Sequence, residues 1–413
     1  LATASLTYGS IFLGLCLVVH LFLRWRLPYA DPSLFPRGAT LACFGLVFIY
    51  RIDQTLAADQ ARWFFVGIVA FIATILVLRD YRRLEGYRYI IAAVSLGLLM
   101  LPLLPGIGQT TNGANLSVQL GSVTFQPGEF AKIGIIIFVA SYLRDNRDAL
   151  SKGGRRFMGV SWPPIRQLGP LLLVFGAAMM LLLVIRDLGT SLMFFGGFLA
   201  VLYVATNRLA YPVIGFGLFA LGAWFIGSHT AHVQDRIEAW KAPFGKLYDE
   251  PGGSYQLAQS LFAQADGGLF GKGFAQSMVL IPGGDSALLP AAQTDMIYAL
   301  IVSELGLFGG CAIIAIYLLI AARGFKVALL ANDGFSKLLA TGLTAVFAIQ
   351  AFVIIGGVTR VIPLTGVTLP LVSYGGSSIL ANFILLALLL LISDRARREA
   401  RTGENADMTG EWR

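Results

Sequence analysis

Apolar runs of near-spanning length alternate with short polar connections along almost the whole chain. They fall at roughly 5–23, 38–50, 63–78, 88–105, 129–143, 168–185, 188–205, 211–227, 295–322, 338–357 and 376–393. A bilayer crossing takes about 20 apolar residues, with a range of about 17–25. Lipid cannot satisfy open backbone groups, so such segments must be helical. The spacing predicts an all-α polytopic membrane protein with about 11 transmembrane helices. One connection is far longer than the rest, residues 228–294. Unstructured loops beyond about 15 residues are uncommon and usually functional. Within it, Tyr255, Ala258, Leu261, Phe262 and Ala265 recur at helical spacing. That predicts a short amphipathic helix lying on the membrane surface. After residue 393 the apolar pattern stops, and the polar tail 394–413 is predicted to be disordered.

Composition and charge fit this pattern. Of 413 residues, 56% are hydrophobic and only 13% charged, where soluble domains carry about 25% charged residues. The net charge of +8 is distributed by topology. Of the 31 Lys and Arg residues, 22 fall in one alternating set of connections and the C-terminal tail, and 8 in the other set, which includes 228–294. Basic residues mark the cytoplasmic side. The expectation is therefore a multi-pass protein of the cytoplasmic membrane, with the C-terminus inside and the large loop extracytoplasmic. The positive charge meets anionic membrane lipid, and no nucleic-acid partner is implied. Cys16, Cys43 and Cys311 each lie in an apolar run, so no disulfide framework is expected. The chain begins at Leu1 without a signal-peptide pattern, and a further N-terminal stretch is expected.

Ionisable groups at membrane depth are the candidates for chemistry. Asp295 stands where the long loop re-enters the membrane. Either it or Thr294 suits a helix N-cap. As a functional group, Asp295 suits a general base whose pKa is raised by partial burial. Glu304, nine residues on, faces the opposite side of a regular helix about 13.5 Å away, so it is expected to pair within the bundle. In FQPGEFAK (125–132), Pro127 suits a helix start, and Glu129 and Lys132 become i,i+3 neighbours. They form either an internal ion pair or a site where Lys132 meets an anionic group such as a diphosphate. Arg186 and Asp187 read as a turn between two apolar runs. The stretch TGVTLPLVSYGGSSILAN (365–382) predicts broken backbone at membrane depth, tolerated only where it is enclosed by protein or lines a watery cavity. Arg360 just before it, and Ser373, Tyr374 and Ser377 within it, are candidate substrate contacts. GGLFGKGF (267–274) lacks P-loop spacing. Its glycines suit turns, and Lys272 is a candidate phosphate contact. His229 and His232 lack further ligand partners for zinc.

Six stretches then occur in one order: GAN at 113–115, FQPGEFAK, RDLGTS, YQLAQSLFAQADGGLFGKGF, QTDMIYALIVSELGLFGG and PLTGVTLPLVSYGGSS. In this the chain resembles the RodA/FtsW family, the shape, elongation, division and sporulation proteins, over about residues 51–393. The resemblance implies a glycosyltransferase that polymerises lipid II, a disaccharide-pentapeptide on undecaprenyl diphosphate, into peptidoglycan outside the cytoplasmic membrane. By it, Asp295 deprotonates the acceptor 4-hydroxyl, Glu129 and Lys132 form the family's membrane pair, and Lys132 steadies the departing diphosphate. Mg²⁺ or Mn²⁺ as a helper ion and a class B penicillin-binding protein as partner are implied in the same way, with no metal site specified. Three departures stand out: Leu116 and Ser117 after GAN, Pro290-Ala291-Ala292-Gln293 before Thr294-Asp295, and Arg186 before Asp187-Leu188-Gly189. With the segment at 5–23 added to a family core of ten helices, they resemble the actinobacterial RodA-type branch and an elongation role. The expected organisation is an extra N-terminal segment and loop (1–37), the membrane domain (38–393) and the tail. A lipid II flippase and a non-catalytic scaffold are the competing readings.

Overall fold

The computed structural model describes residues 2–111, 114–121, 123–152, 155–157, 160–162, 165–185, 187–229, 231–250, 253–277 and 288–409. Its helices are α1 (Ala2–Arg26), α2 (Leu34–Ile52), α3 (Gln54–Val77), α4 (Arg83–Gly86), α5 (Arg88–Met100), α6 (Pro127–Lys152), α7 (Ile165–Ile185), α8 (Leu188–Thr206), α9 (Ala210–His229), α10 (Ala231–Lys241), α11 (Tyr255–Gly267), α12 (Ile297–Leu330), α13 (Gly334–Val358) and α14 (Gly376–Thr409). Each apolar segment of the sequence overlaps one of them. Among the described residues, seven are long and apolar enough to cross a membrane: α1, α2, α3, α8, α12, α13 and α14. Shorter apolar helices cover Arg88–Leu103, Gly169–Ile185 and Ala210–Trp224. Large apolar side chains such as Leu173, Val213, Phe216, Leu221 and Leu318 point outward, which is stable only if the surrounding solvent is lipid.

The core sits on α13 and α14. Leu385 through Ile392 of α14 are all buried, and α14 packs against α3, α6, α12 and α13. Small residues bring backbones together, as in other membrane bundles. A Cβ on Gly197 (α8) or Gly342 (α13) would stand within 2.5 Å of Val346 or Ile136. Aspartates start several helices as N-caps: Asp53 accepts from Thr55 N, Asp187 from Thr190 N and Asp333 from Ser336 N.

The structure changes three expectations. A three-stranded antiparallel sheet of β1 (Gly108–Thr111), β2 (Ala114–Leu120) and β3 (Val123–Phe125) lies between α5 and α6, and a hairpin of β4 (Arg155–Phe157) and β5 (Val160–Trp162) follows α6. The polar tail is not disordered from 394 onward, because α14 continues to Thr409. Asp394 pairs with Arg398, Arg395 with Asp80 and Glu399, and Arg397 with Asp31. These charge pairs hold the helix beyond the apolar run. The helix expected in the loop is present as α11. It buries Leu257, Ala258, Ser260 and Gly267 against the protein, while Phe262 is exposed. Polar anchoring holds it: Ser260 Oγ and Gln264 Nε2 both donate to Val358 O at the end of α13. Finally, neither Thr294 nor Asp295 caps α12. The cap position is Met296, with no side-chain hydrogen bond.

The helix α12 is broken at Gly306, whose φ of 71° lies in the left-handed region. The break frees backbone groups at depth, and the loop satisfies them. Lys272 N and Gly273 N donate to Ser303 O and Glu304 O, while Leu307 N and Phe308 N donate to Gly268 O and Leu269 O. A Cβ on Gly306 would stand 2.3 Å from Leu269 O. Glu304 is completely buried. It accepts from Ala275 N (2.9 Å) and Ser277 Oγ (2.6 Å) and faces Arg51 Nε at 3.3 Å. It therefore pairs within the bundle, as its helical position implies.

Candidate functional site

The site is assembled on non-helical backbone. Residues 291–296 form a turn, with Thr294 N and Met296 N both donating to Ala291 O. The irregular segment between α13 and α14 clasps that turn: Ser373 Oγ donates to Thr294 O (2.6 Å) and Tyr374 N to Gln293 O (2.8 Å). Ser373 Oγ also accepts from Leu369 N (2.9 Å), and Gln60 of α3 donates to Ser373 O (3.1 Å). Ser377 accepts from Gln126 N (2.9 Å), securing the start of α6. Ser373, Tyr374 and Ser377 thus hold backbone in place. The backbone at Asp295 is positioned through its neighbours Gln293 and Thr294.

Arg236 is the group that sequence reasoning missed. It projects from α10 toward the same place. A Cβ built on Gly366 would lie 3.7 Å from Asp295 Oδ2 and 3.9 Å from Arg236 NH2. Gly366 has φ +72° and no side chain, so a gap remains between carboxylate and guanidinium. Arg236 NH1 donates to Leu364 O at 3.1 Å. Burial raises the Asp295 carboxyl to about 6, against the pull of Arg236 and of the Thr294 hydrogen bond. Burial also lowers the Arg236 guanidinium, and Asp187 and Asp295 pull it back up. Asp187, the N-cap of α8, is raised by burial despite its bonds from Thr190; the Glu129 charge adds to the rise and Arg236 opposes it. The only sequence signal for Arg236 was a basic residue in a mixed-charge stretch, which resembles any solvated helix.

Glu129 and Lys132 lie deeper on α6, at 4% and 1% exposure, and form an ion pair. Lys132 Nζ also donates to Gln350 Oε1 (2.7 Å), and Gln350 Nε2 donates to Thr368 O (3.0 Å). This closes Lys132 within the protein. The internal ion pair is therefore the reading that the geometry carries, and Lys132 is not presented to a ligand. Arg360 does not face Asp295 either. It donates to Trp240 O (2.8 Å) and Lys241 O (2.7 Å), and Trp240 Nε1 donates back to Arg360 O (3.0 Å). It caps the C-terminus of α10, where a cation is favoured. Lys272 pairs with Asp266 at 2.6 Å on the exposed side of the loop. Arg186, His229 and His232 have side chains outside the described residues. Among the described residues no three His, Cys, Asp or Glu side chains gather.

A largely buried carboxylate raised to about 6, with a guanidinium nearby, can take a proton from a hydroxyl while a cation faces developing negative charge. Comparisons with known proteins bear on that chemistry. The peptidoglycan glycosyltransferase RodA of Mycobacterium tuberculosis is 42% identical over 410 residues, 96% of this chain and 85% of the relative. A structure described as the structural coordination of polymerization and crosslinking by a peptidoglycan synthase complex matches with a TM-score of 0.70. It is 25% identical and covers 89% of this chain and 98% of its own. The rod shape determining protein RodA of Thermus thermophilus matches with a TM-score of 0.62 at 26% identity, covering 88% and 96%. The family model described as cell cycle protein, for FtsW, RodA and SpoVE, matches residues 35–398, and the chain belongs to that family.

Proposed function

We propose that this integral membrane protein is a peptidoglycan glycosyltransferase that polymerises lipid II at the outer face of the cytoplasmic membrane, with Asp295 as general base. The observation that carries the reading is the Asp295 carboxyl, raised to about 6 by burial in a turn clasped by Ser373 and Tyr374. The acceptor hydroxyl gives its proton to Asp295, its oxygen bonds to the donor's anomeric carbon, and the bond from that carbon to the diphosphate oxygen breaks. The electron pair leaves with undecaprenyl diphosphate. Asp295 then returns its proton to water.

The excess of basic residues on the opposite connections supports an extracytoplasmic long loop and a cytoplasmic C-terminus. In that orientation the base stands on the side where a lipid-linked sugar is presented. A class B penicillin-binding protein is the partner we assign, since the solved relative is described as coordinating polymerization with crosslinking. Rod-shape elongation is the role assigned, from the RodA relatives. A flippase would need polar groups continuing across the bilayer. Inward of Lys132, Ile133 and Ile135 through Ala140 are apolar and buried, which favours the enzyme. The test is a gel assay of lipid II polymerisation by the purified chain, with and without the crosslinking partner. Asp295→Ala is expected to yield no glycan strands; full polymerisation by that variant would refute the assignment.

A further inference from the structure

We propose that Arg236 is the binding residue for the diphosphate of the lipid-linked donor, across the Gly366 gap from Asp295. The inference rests on the lipid II reading above and names the cation in that site.

Of the basic residues singled out from the sequence as anion contacts, three have partners among the described residues. Lys132 is held by Glu129 and Gln350, Arg360 by the last carbonyls of α10, and Lys272 by Asp266. Among the described residues Arg236 makes one hydrogen bond, through NH1 to Leu364 O. Among the described residues it closes no ion pair, although the charges of Asp187 and Asp295 both act on it. A Cβ on Gly366 would lie 3.9 Å from Arg236 NH2 and 3.7 Å from Asp295 Oδ2.

That separation suits the reaction. A base sits about 2.6–3.2 Å from the hydroxyl it deprotonates, and the hydroxyl oxygen about 3–3.5 Å from the carbon it attacks. The leaving diphosphate lies beyond that carbon, so its cation belongs one sugar carbon away from the base and not in contact with it. An ion pair between Arg236 and Asp295 would consume both groups; the Gly366 gap keeps them apart. The guanidinium fork also matches phosphate oxygens bidentately, which an ammonium does not. Its position is secured from behind, because the reciprocal bonds between Arg360 and Trp240 fasten α10 to the segment after α13. The two carboxylates that attract Arg236 maintain its charge while the site is empty. An incoming diphosphate then competes for the same guanidinium.

The experiment compares binding of undecaprenyl diphosphate and undecaprenyl monophosphate to the full chain in nanodiscs, for wild type, Arg236→Lys and Arg236→Ala. Wild type is expected to prefer the diphosphate by about tenfold, the preference to vanish in Arg236→Ala, and Arg236→Lys to fall between them. A preference unchanged in Arg236→Ala overturns the proposal. So does an equal weakening of both probes together with a lowered melting temperature, because Arg236 would then serve only to support the Leu364 carbonyl. If Arg236→Ala does not fold, Arg236→Lys decides alone, and an unaltered preference overturns the proposal. Wild type that shows an Arg236-dependent preference yet polymerises no lipid II would refute the polymerase reading and leave the diphosphate site standing.

Discussion

Asp295 carries a dependence on pH that runs opposite to that of most carboxylates. Its folded pKa of about 6 lies above the unfolded value of about 3.9, so between those values the folded chain binds the extra proton. Stability from this residue is therefore present below about pH 4 and lost as pH rises toward 6. Activity moves the other way, because the base must be ionised. Polymerisation should rise about tenfold per pH unit below 6 and level off above it. Asp295→Asn should abolish polymerisation while melting no lower than wild type at pH 7.5. A pH–rate profile and melting curves of the solubilised protein check both; an Asp295→Asn variant that unfolds readily would show that the carboxylate is structural. Lys132 behaves differently. Lys132→Met strands the buried Glu129 carboxylate, a loss of about 3–5 kcal/mol by analogy with broken buried pairs. The double change Lys132→Met, Glu129→Gln should recover part of it. Chemical-denaturation or thermal assays of both variants test this. Recovery of activity without recovery of stability would contradict a structural pair.

Among the elements, α12 shows how the loop and the membrane core are joined. The glycine-rich stretch was legible as turn-forming in sequence, because glycine tolerates left-handed backbone. Its target was not. The carbonyls of Ser303 and Glu304 are free only because α12 breaks at Gly306, and a helical reading of 295–322 hides that break. Gly306→Ala should force Leu269 away from α12, since the added Cβ would meet the Leu269 carbonyl at 2.3 Å. Protease cleavage within residues 268–277 should then rise and polymerisation should fall. Retained protection would show that the helix can re-form without the loop. Gly366→Ala is the matching probe at the site. It fills the gap between Asp295 and Arg236 and strains a φ of +72°. It should lower turnover sharply in the polymerisation assay without displacing α14.

At the level of the whole molecule, the connection between α1 and α2 meets α14 on the basic side. Tyr29 N donates to Asp394 Oδ1 and Asp31 N to Ser393 Oγ, and the Asp31 carboxylate pairs with Arg397 and Arg323. Burial pushes the Asp31 carboxyl up, but hydrogen bonds from Ser33 and the charges of Arg397 and Arg323 outweigh it and hold it below its usual value. Its contribution is thus present above about pH 4 and lost as pH falls. Asp31→Asn should lower stability by roughly 1–3 kcal/mol, seen as a lower melting temperature at pH 7.5 and a smaller difference from wild type in acid. By contrast α1 packs mainly on α2, and the family match begins after it, at residue 35. A chain lacking residues 1–26 should keep polymerising lipid II; complete loss of activity would place α1 within the working fold.

The sequence by itself determined the lipid-facing helices, because their apolar runs have no other stable solvent. It also determined the unequal share of basic residues in the two sets of connections, the helix start at Pro127, the i,i+3 placement of Glu129 and Lys132 and the broken backbone after α13. All of these depend on residue type and on spacing of a few positions. Only the tertiary structure decided which polar groups share the site. Asp295, Arg236, Asp187 and Gly366 come from four separate elements, and no local spacing relates them. The same packing took Lys132, Arg360 and Lys272 out of contention, because each finds a nearer acceptor: Gln350 with Glu129, the end of α10, and Asp266. A charged side chain at membrane depth must be satisfied by something, and which partner satisfies it is a property of the folded bundle.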